Sequence, residues 1–390
     1  MTQTLKTTER LGVVDALRGF ALLAIVLLHN LEHYNLFLPL DYTLPAWLQT
    51  IDKYAWDTMF FLFAGKAYAT FSLLFGFSFY IQFHNAEKRG TDFRGRFAWR
   101  MCLLFLFAQL HALFYNGDIL LLYAVVGFAL IPVCKLKDKT VFWIAAILLL
   151  QPYEWGRAIY AMINPEYVPS TGHFIPYYKL AQEVTSNGSF FEVLRSNITD
   201  GQMYSNIWQV ENGRLFQTAA LFMLGMLLGR RKYFMKSEES LRFWKKMLTG
   251  AILAFIPLYC LKTFVPDLLT NPSVQIPYKI AVPSYANFAF MIILVSIFTL
   301  LWFKKEKGYG WQSLLIPYGR MSLTNYISQS IMGVIIYYGF GLAMYKYAGA
   351  TASLLIALLI FTVQLIFSRW WLARHKQGPL EFLWRKGTWI

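Results

Sequence analysis

"VVDALRGFALLAIVLLHNLEH" (residues 13–33) has the apolar continuity of a membrane-spanning helix, yet it carries Asp15, Arg18, His29 and His33. At about 100° per residue, with Asp15 as zero, Arg18 falls at about 300°, His29 at about 320° and His33 at about 0°, so all four share one narrow stripe. Ionisable groups inside a membrane are costly and turn toward the protein interior or a wet cavity. The stretch therefore predicts the first helix of a bundle, with a polar stripe facing inward. A rise of about 1.5 Å per residue sets Arg18 and His29 roughly 16 Å apart along the axis, one near each end.

The rest of the chain has the same character. Of 390 residues, 57% are hydrophobic, 18% aromatic and only 15% charged, and the mean hydropathy is +0.42. That balance is too poor in charge for a soluble protein of this size. Apolar stretches lie at 12–31, 67–83, 101–114, 119–134, 140–151, 215–229, 247–261, 281–303, 321–338 and 350–368. They predict about ten spans, several of them short against the ~20 residues that a bilayer core requires. The expected fold class is all-α, a polytopic transmembrane helical bundle forming one integral membrane domain over residues 1–390. Arg18 interrupts the first apolar run and no small-residue cleavage site follows, so the run reads as a retained helix and not as a cleaved signal. Cys102, Cys134 and Cys260 are odd in number and lack CxxC spacing, which makes them packed thiols.

The net charge of +15 is arranged as a topology signal and predicts no nucleic-acid partner. Loops on one side of successive spans hold 26 Lys and Arg, those on the other side 7. The positive-inside rule puts the richer side and both termini in the cytoplasm. Residues 152–213, between the fifth and sixth spans, have aromatic, polar and proline-bearing stretches without a long apolar run. They are expected to form a small extracytoplasmic cap of short helices. The segment "WDTMFFLFAG", with Asp57, is too short to cross and reads as re-entrant or interfacial.

Several residues admit both a structural and a chemical role. Asp15 and Arg18, one turn apart, can form an ion pair. Imidazole titrates near neutrality and suits deprotonation of a hydroxyl or amine nucleophile; His29, the deeper of the two, is the expected catalytic base, while His33 either joins it in the catalytic group or caps the interface. Lys66, in "FLFAGKAYATF", either snorkels to the membrane surface or stands beside His29 to bind an anionic or hydroxyl-rich acceptor. "QLHALFYNGDILLLYAVVG" groups His111, Asn116 and Asp118 around a tight outer turn, where His111 and Asn116 are candidate substrate contacts of an outer site. Asp118 there either caps the next helix or orients His29 or His33 as a carboxylate behind an imidazole. In "PYGRMSLTNYISQS", Arg320 stands at an entrance, while Asn325 and Gln329 serve as interhelical hydrogen bonds or as substrate contacts. Asn30, next to His29, is a further substrate contact. Arg18, Arg100 and Arg320 could form a cationic mouth for phosphate groups. Walker A, Rossmann, zinc and nucleophile-elbow signatures are absent from the sequence, and no metal site is expected.

"VVDALRGFALLAIVLLHN", "FSLLFGFSFYIQF", "NGDILLLYAVVG", "LFMLGMLLGR", "GRMSLTNYISQS" and "GPLEFLWRKG", in that order, resemble YeiB-like bacterial integral membrane proteins, a domain-of-unknown-function family, over nearly the whole chain. That family is distantly similar to transmembrane acyltransferases, including bacterial enzymes that O-acylate surface sugars and the lysosomal heparan-alpha-glucosaminide N-acetyltransferase. The sugar O-acyltransferases carry an Arg, ten residues, then a His on their first helix, and Arg18 and His29 have this spacing. The resemblance implies a bacterial inner-membrane enzyme with an acyl-CoA donor, acetyl-CoA foremost, reached from the cytoplasm, and the residue reading makes Asp15, Arg18, Arg100 and Arg320 the candidates to bind it. It further implies a small-molecule or glycan acceptor on the outer face and His29 near the point of transfer, with no metal or haem. Two other classes compete: a transporter using the same buried stripe, and a redox protein with haem between His29 and His111. A homo-oligomer is compatible with each of them.

Overall fold

The computed structural model describes residues 11–164, 166–167, 169–305 and 310–389, and every regular element among them is helical. Helix α1 (Gly12–Leu31) is followed by α2 (Ala46–Phe63) and α3 (Ala67–Glu87), which are separated only by a break at residues 64–66. Shorter helices come next: α4 (Arg94–Ala112), α5 (Leu120–Gly127), α6 (Leu130–Val133) and α7 (Asp138–Leu149). Within the expected cap lie α8 (Pro152–Ile163), α9 (Ile175–Asn187), α10 (Phe190–Ser196) and α11 (Gln202–Glu211). The second half holds α12 (Arg214–Arg230), α13 (Glu238–Phe264), α14 (Pro272–Lys304), α15 (Ile316–Arg320), α16 (Ser322–Tyr337), α17 (Ala350–Leu372) and α18 (Pro379–Thr388).

Among the described residues, five segments are long and apolar enough to cross a bilayer: Gly12–Leu31, Ala46–Glu87, Glu238–Leu268, Pro272–Lys304 and Ala350–Leu372. The chain is thus a helical membrane protein. The other apolar stretches fold as α4, α5 with α6, α7, α12 and α16, whose lengths of 19, 8 and 4, 12, 17 and 16 residues fall below the ~20 of a straight crossing. α2 begins ten residues ahead of the "WDTMFFLFAG" stretch, because its polar first turns have a task. Asp52 accepts the backbone N–H groups of Ala350 (2.9 Å) and Thr351 (2.8 Å) and the Thr351 hydroxyl (2.5 Å), capping α17. Cys134 is buried, whereas Cys102 and Cys260 lie on the exposed surface and are not packed inside.

α1 is the hub. Two thirds of its apolar window is buried (67%), against 6% for Glu238–Leu268. It packs on α3, α15, α16 and α17. Between lipid-embedded helices there is little hydrophobic drive, so close backbone approach at small residues carries the packing. A Cβ on Gly19 would stand 2.4 Å from the Leu315 carbonyl oxygen, and one on Gly319 would stand 1.9 Å from that of Asp15. This crossing brings Arg18 and Arg320 to one place. The α3–α12 crossing is built the same way: a Cβ on Gly76 would meet the Phe222 carbonyl at 1.9 Å, and one on Gly225 the Leu73 carbonyl at 1.8 Å.

Gly225→Leu is therefore expected to abolish folded, monodisperse protein. Gly250→Ala, where a Cβ finds nothing within 4 Å, should stabilise by up to about 1 kcal/mol through helix propensity. Thermal unfolding in detergent reads both; similar midpoints for the two variants would contradict the crossing geometry.

Candidate functional site

A cavity of about 580 Å³ runs alongside α1. One end is cationic, lined by Arg18, Arg89, Arg100, Arg320, Lys376 and Arg385. Arg18 donates to Asp15 Oδ1 at 2.7 Å and to Ser78 Oγ at 2.5 Å, so a buried carboxylate and a hydroxyl from α3 aim the guanidinium. The Arg100 guanidinium lies 3.6 Å from the centroid of the Trp384 ring and reaches Thr388 Oγ1 at 3.3 Å. Arg320 donates to the Lys376 carbonyl at 3.0 Å. α18 is pinned beneath this cluster. Its Glu381 accepts the N–H groups of Leu323 (2.7 Å) and Thr324 (3.1 Å) and the Thr324 hydroxyl (2.6 Å), placing a carboxylate at the N-terminus of α16. Trp384 Nε1 donates to the Arg100 carbonyl at 3.1 Å. Guanidinium forks held in this way suit phosphate oxygens.

The other end of the cavity is bounded by Ile25, Tyr68, Ile119, Tyr123 and Tyr326. Just beyond this wall lie the histidines. His29 is one helical turn past Ile25, Asp118 precedes Ile119, and the His111 ring is 5.2 Å from that of Tyr326. His111 Nδ1 is 2.8 Å from Asp118 Oδ1, and Asp118 also accepts the N–H groups of Leu120 (3.0 Å) and Leu121 (3.2 Å). The carboxylate thus caps α5 and holds an imidazole together, but the imidazole is that of His111, not of His29 or His33. Tyr115 packs between the two histidines, 5.2 Å from His29 and 6.0 Å from His111.

The stripe of the first helix does not continue to His33. α1 ends at Leu31, and His33, Tyr34 and Asn35 take left-handed conformations with φ of 47°, 54° and 75°. Each costs roughly 1–2 kcal/mol for a residue with a Cβ, so tertiary contacts must impose the turn. They do so with hydrogen bonds: His33 Nε2 to Ser353 Oγ (3.1 Å), Tyr34 hydroxyl to the Gln329 carbonyl (2.9 Å), Asn35 to Asn116 Oδ1 (3.1 Å) and the Tyr338 hydroxyl to the Tyr34 carbonyl (3.1 Å). His33 stacks on Tyr337 with centroids 4.9 Å apart. Helices of residues 152–211 cover this end: Gln209 donates to the Asp118 carbonyl (3.1 Å), Asn197 to that of Leu113 (3.0 Å) and Tyr178 to that of Leu36 (3.1 Å).

Of the residues singled out in the sequence, Asp15, Arg18, Arg100 and Arg320 meet at the cationic end, while His29, Asn30, His111, Asn116, Asp118 and Gln329 gather at the other. His33 joins that second group through Tyr34 and Tyr337. Lys66 instead lies over the rings of Phe61 and Phe290, 5.9 and 5.5 Å from their centroids. Asn325 is consumed by interhelical bonds to the Tyr318 carbonyl (2.9 Å) and Ser368 Oγ (3.0 Å). Arg89, Lys376, Arg385, Glu32 and the tyrosines join the site without a motif in the sequence that marks them. Glu32 stands inside the "HNLEH" run and was legible there as a further ionisable group.

His29 Nδ1, Asn30 Oδ1, His111 Nε2 and both amide atoms of Gln329 are buried with no hydrogen-bond partner among the described residues. Each such group costs about 1–3 kcal/mol when left unsatisfied, so their gathering marks a place for a polar ligand. Burial raises the Glu32 carboxyl to about 7 against the opposing pull of Arg214, and burial lowers His33 to about 4. Among the described residues no group of three or more His, Cys, Asp or Glu is arranged to hold a metal ion.

These features define a helical membrane protein whose first helix joins a cationic cavity to a histidine cluster. The family described as protein of unknown function (DUF418) matches residues 228–390, and the chain belongs to it. It is 30% identical to an uncharacterized 39.9 kDa protein encoded in the amylase 3' region of Bacillus acidopullulyticus, over 97% of this chain and 94% of that protein. It is 28% identical to the uncharacterized protein YxaH of Bacillus subtilis, over 98% and 95% of the two chains. Similarity to the uncharacterized protein YeiB of Escherichia coli, at 27% over 97% and 96%, bears out the resemblance to YeiB-like proteins. No solved structure matches the chain.

Glu32 and His33 give stability opposite pH slopes. Between about pH 4 and 6.5 only the unfolded chain protonates His33, so its contribution falls as pH falls. Between about pH 4.5 and 7 only the folded chain keeps the Glu32 proton, so its contribution falls as pH rises. Relative to the parent, Glu32→Gln should steepen the gain of stability with rising pH over this window, and His33→Gln should reverse the change. Unfolding midpoints of the three proteins against pH test this; parallel curves would refute it.

Proposed function

We propose that the protein is a transmembrane acyltransferase that moves an acyl group, acetyl in the first instance, from acyl-CoA at the cationic end to a hydroxyl or amine of a sugar or related surface molecule at the histidine end. The observation that carries this reading is the single cavity reaching from the arginines to the wall against which His111 and His29 stand. Its volume falls in the range of about 300–1,000 Å³ typical of ligand sites. The Arg18 and His29 spacing of sugar O-acyltransferases supports the same reading.

In this mechanism Arg18, Arg100 and Arg320 pair with the donor phosphates, and Asp15 holds Arg18 in place. The apolar walls of Phe71, Phe75 and Phe79 guide the pantetheine arm toward Ile25 and Tyr326. His111 Nε2 takes the acceptor proton while Asp118 holds Nδ1–H. The acceptor oxygen or nitrogen bonds to the thioester carbonyl carbon, the tetrahedral intermediate collapses with cleavage of the C–S bond, and the departing CoA thiolate takes the proton back. His111 thereby assumes the part that the first-helix motif gives to His29, and His29, Asn30 and Gln329 become acceptor contacts. The reading includes about ten passages of the inner membrane, both termini in the cytoplasm and residues 152–213 as an outer cap, in keeping with 26 basic residues on one side and 7 on the other.

Incubation of purified protein with labelled acetyl-CoA and amino-sugar or hydroxyl acceptors tests the proposal. Arg18→Lys should weaken CoA binding by roughly tenfold or more, the loss of a charged hydrogen-bond fork. His111→Ala should lower turnover by about 10²–10⁴ with CoA binding retained. Asp118→Asn should also lower turnover while keeping the α5 cap. Loss of turnover in His29→Ala but not in His111→Ala would return the base to His29. A parent that neither binds nor cleaves acetyl-CoA, yet accumulates a solute in vesicles, would transfer the site to a transporter.

A further inference from the structure

A second cavity, of about 1050 Å³, lies on the flank of the bundle between the helix pair α7/α12 and the pair α13/α14. Phe142, Leu224, Met247 and Ile292 form its walls. α13 turns Gly250, Ala251 and Ala254 toward it, and a Cβ at Gly250 would find nothing within 4 Å. The cleft is apolar except at one end, where Asp138, Lys139, Arg231 and Lys246 form the rim. Asp138 is already engaged by Arg230 and Arg231, each at 2.9 Å, while Lys139 and Lys246 are exposed. Three cations thus share the rim with one carboxylate, which Arg230 also engages from beside the cleft. From Lys139 to Leu149, α7 rises roughly 15 Å, half the ~30 Å hydrocarbon thickness of a bilayer. The cleft therefore has the depth of one leaflet, an apolar interior, a positive rim at headgroup height and an outer wall, α13, that is almost wholly exposed.

We infer that this cleft holds one anionic phospholipid, its acyl chains between α7/α12 and α13/α14 and its phosphate at Lys139 and Lys246. A soluble phosphate compound leaves the apolar depth unfilled, and a zwitterionic lipid gains less from the rim. The site is independent of the arginine cavity and of acyl transfer.

The test is reconstitution of the full chain in vesicles with equimolar phosphatidylglycerol and phosphatidylethanolamine, gentle re-extraction and native mass spectrometry of the retained lipid. The parent should retain about one lipid more per chain than Gly250→Phe, whose ring enters open space and fills the cleft. The retained lipid should favour phosphatidylglycerol by roughly fivefold for each of the two lysines, the interfacial worth of one basic residue. Lys139→Gln combined with Lys246→Gln changes only exposed side chains, so its fold is preserved. It should keep the lipid and lose the preference. Equal retention of the two lipids by the parent, a preference unchanged in the lysine variant, or full lipid retention in a stably folded Gly250→Phe protein would each overturn the inference.

Discussion

The ion pair between Asp15 and Arg18 is the constraint around which the rest is arranged. Asp15 is buried while Arg18 keeps 19% of its side chain exposed to the cavity, and a carboxylate taken out of water is tolerated only with such a partner. On a buried helix of an apolar bundle those partners must come from neighbouring elements. Ser78 supplies one contact from α3, and Gly19 with Gly319 lets α15 approach so closely that Arg320 joins the same end. The pair thus stands where three helices meet and where the cationic cavity begins.

The two ends of α1 solve different problems. At the cationic end, long side chains lie against aromatic and carbonyl partners, so positive charge is concentrated but oriented. At the histidine end, tyrosines do the packing: Tyr34, Tyr115, Tyr337 and Tyr338 bury large apolar bodies, while the hydroxyls of Tyr34 and Tyr338 donate to backbone carbonyls. The left-handed turn at residues 33–35 makes this possible by folding Tyr34 back beneath His29. Between the ends, Ile25, Ile119 and Tyr326 form a thin wall with phosphate-compatible groups on one side and an imidazole–carboxylate pair on the other.

The cavity draws on both halves of the chain. The family match over residues 228–390 includes Arg320, Tyr326, Glu381 and Arg385, but Arg18, Arg100 and the His111–Asp118 pair come from before it. α18 joins the halves, because Glu381 caps α16 while Trp384 holds Arg100. The last helix is therefore a structural part of the cavity floor.

Composition and periodicity were enough to specify a helical membrane protein and a polar stripe on its first helix, because burial of apolar residues at a 3.6-residue period is a local property of the chain. The same holds for the grouping of Arg18, Arg100 and Arg320, whose positions at the basic ends of apolar runs already place them at one level. Register beyond a helix end is not local: the stripe stops at Leu31, and the direction of His33 follows from Ser353 and Tyr337, more than 300 residues away. Partner choice is not local either. Asp118 could serve any imidazole by its sequence position, and packing of α4 against α5 gives it His111; Asn325 and Gln329 look alike on one helix, yet Asn325 meets Tyr318 and Ser368 while the Gln329 amide meets no protein partner among the described residues. A chain can encode which groups are costly to bury, but which of them are left unsatisfied is decided only when helices distant in sequence come within the 3 Å reach of a hydrogen bond.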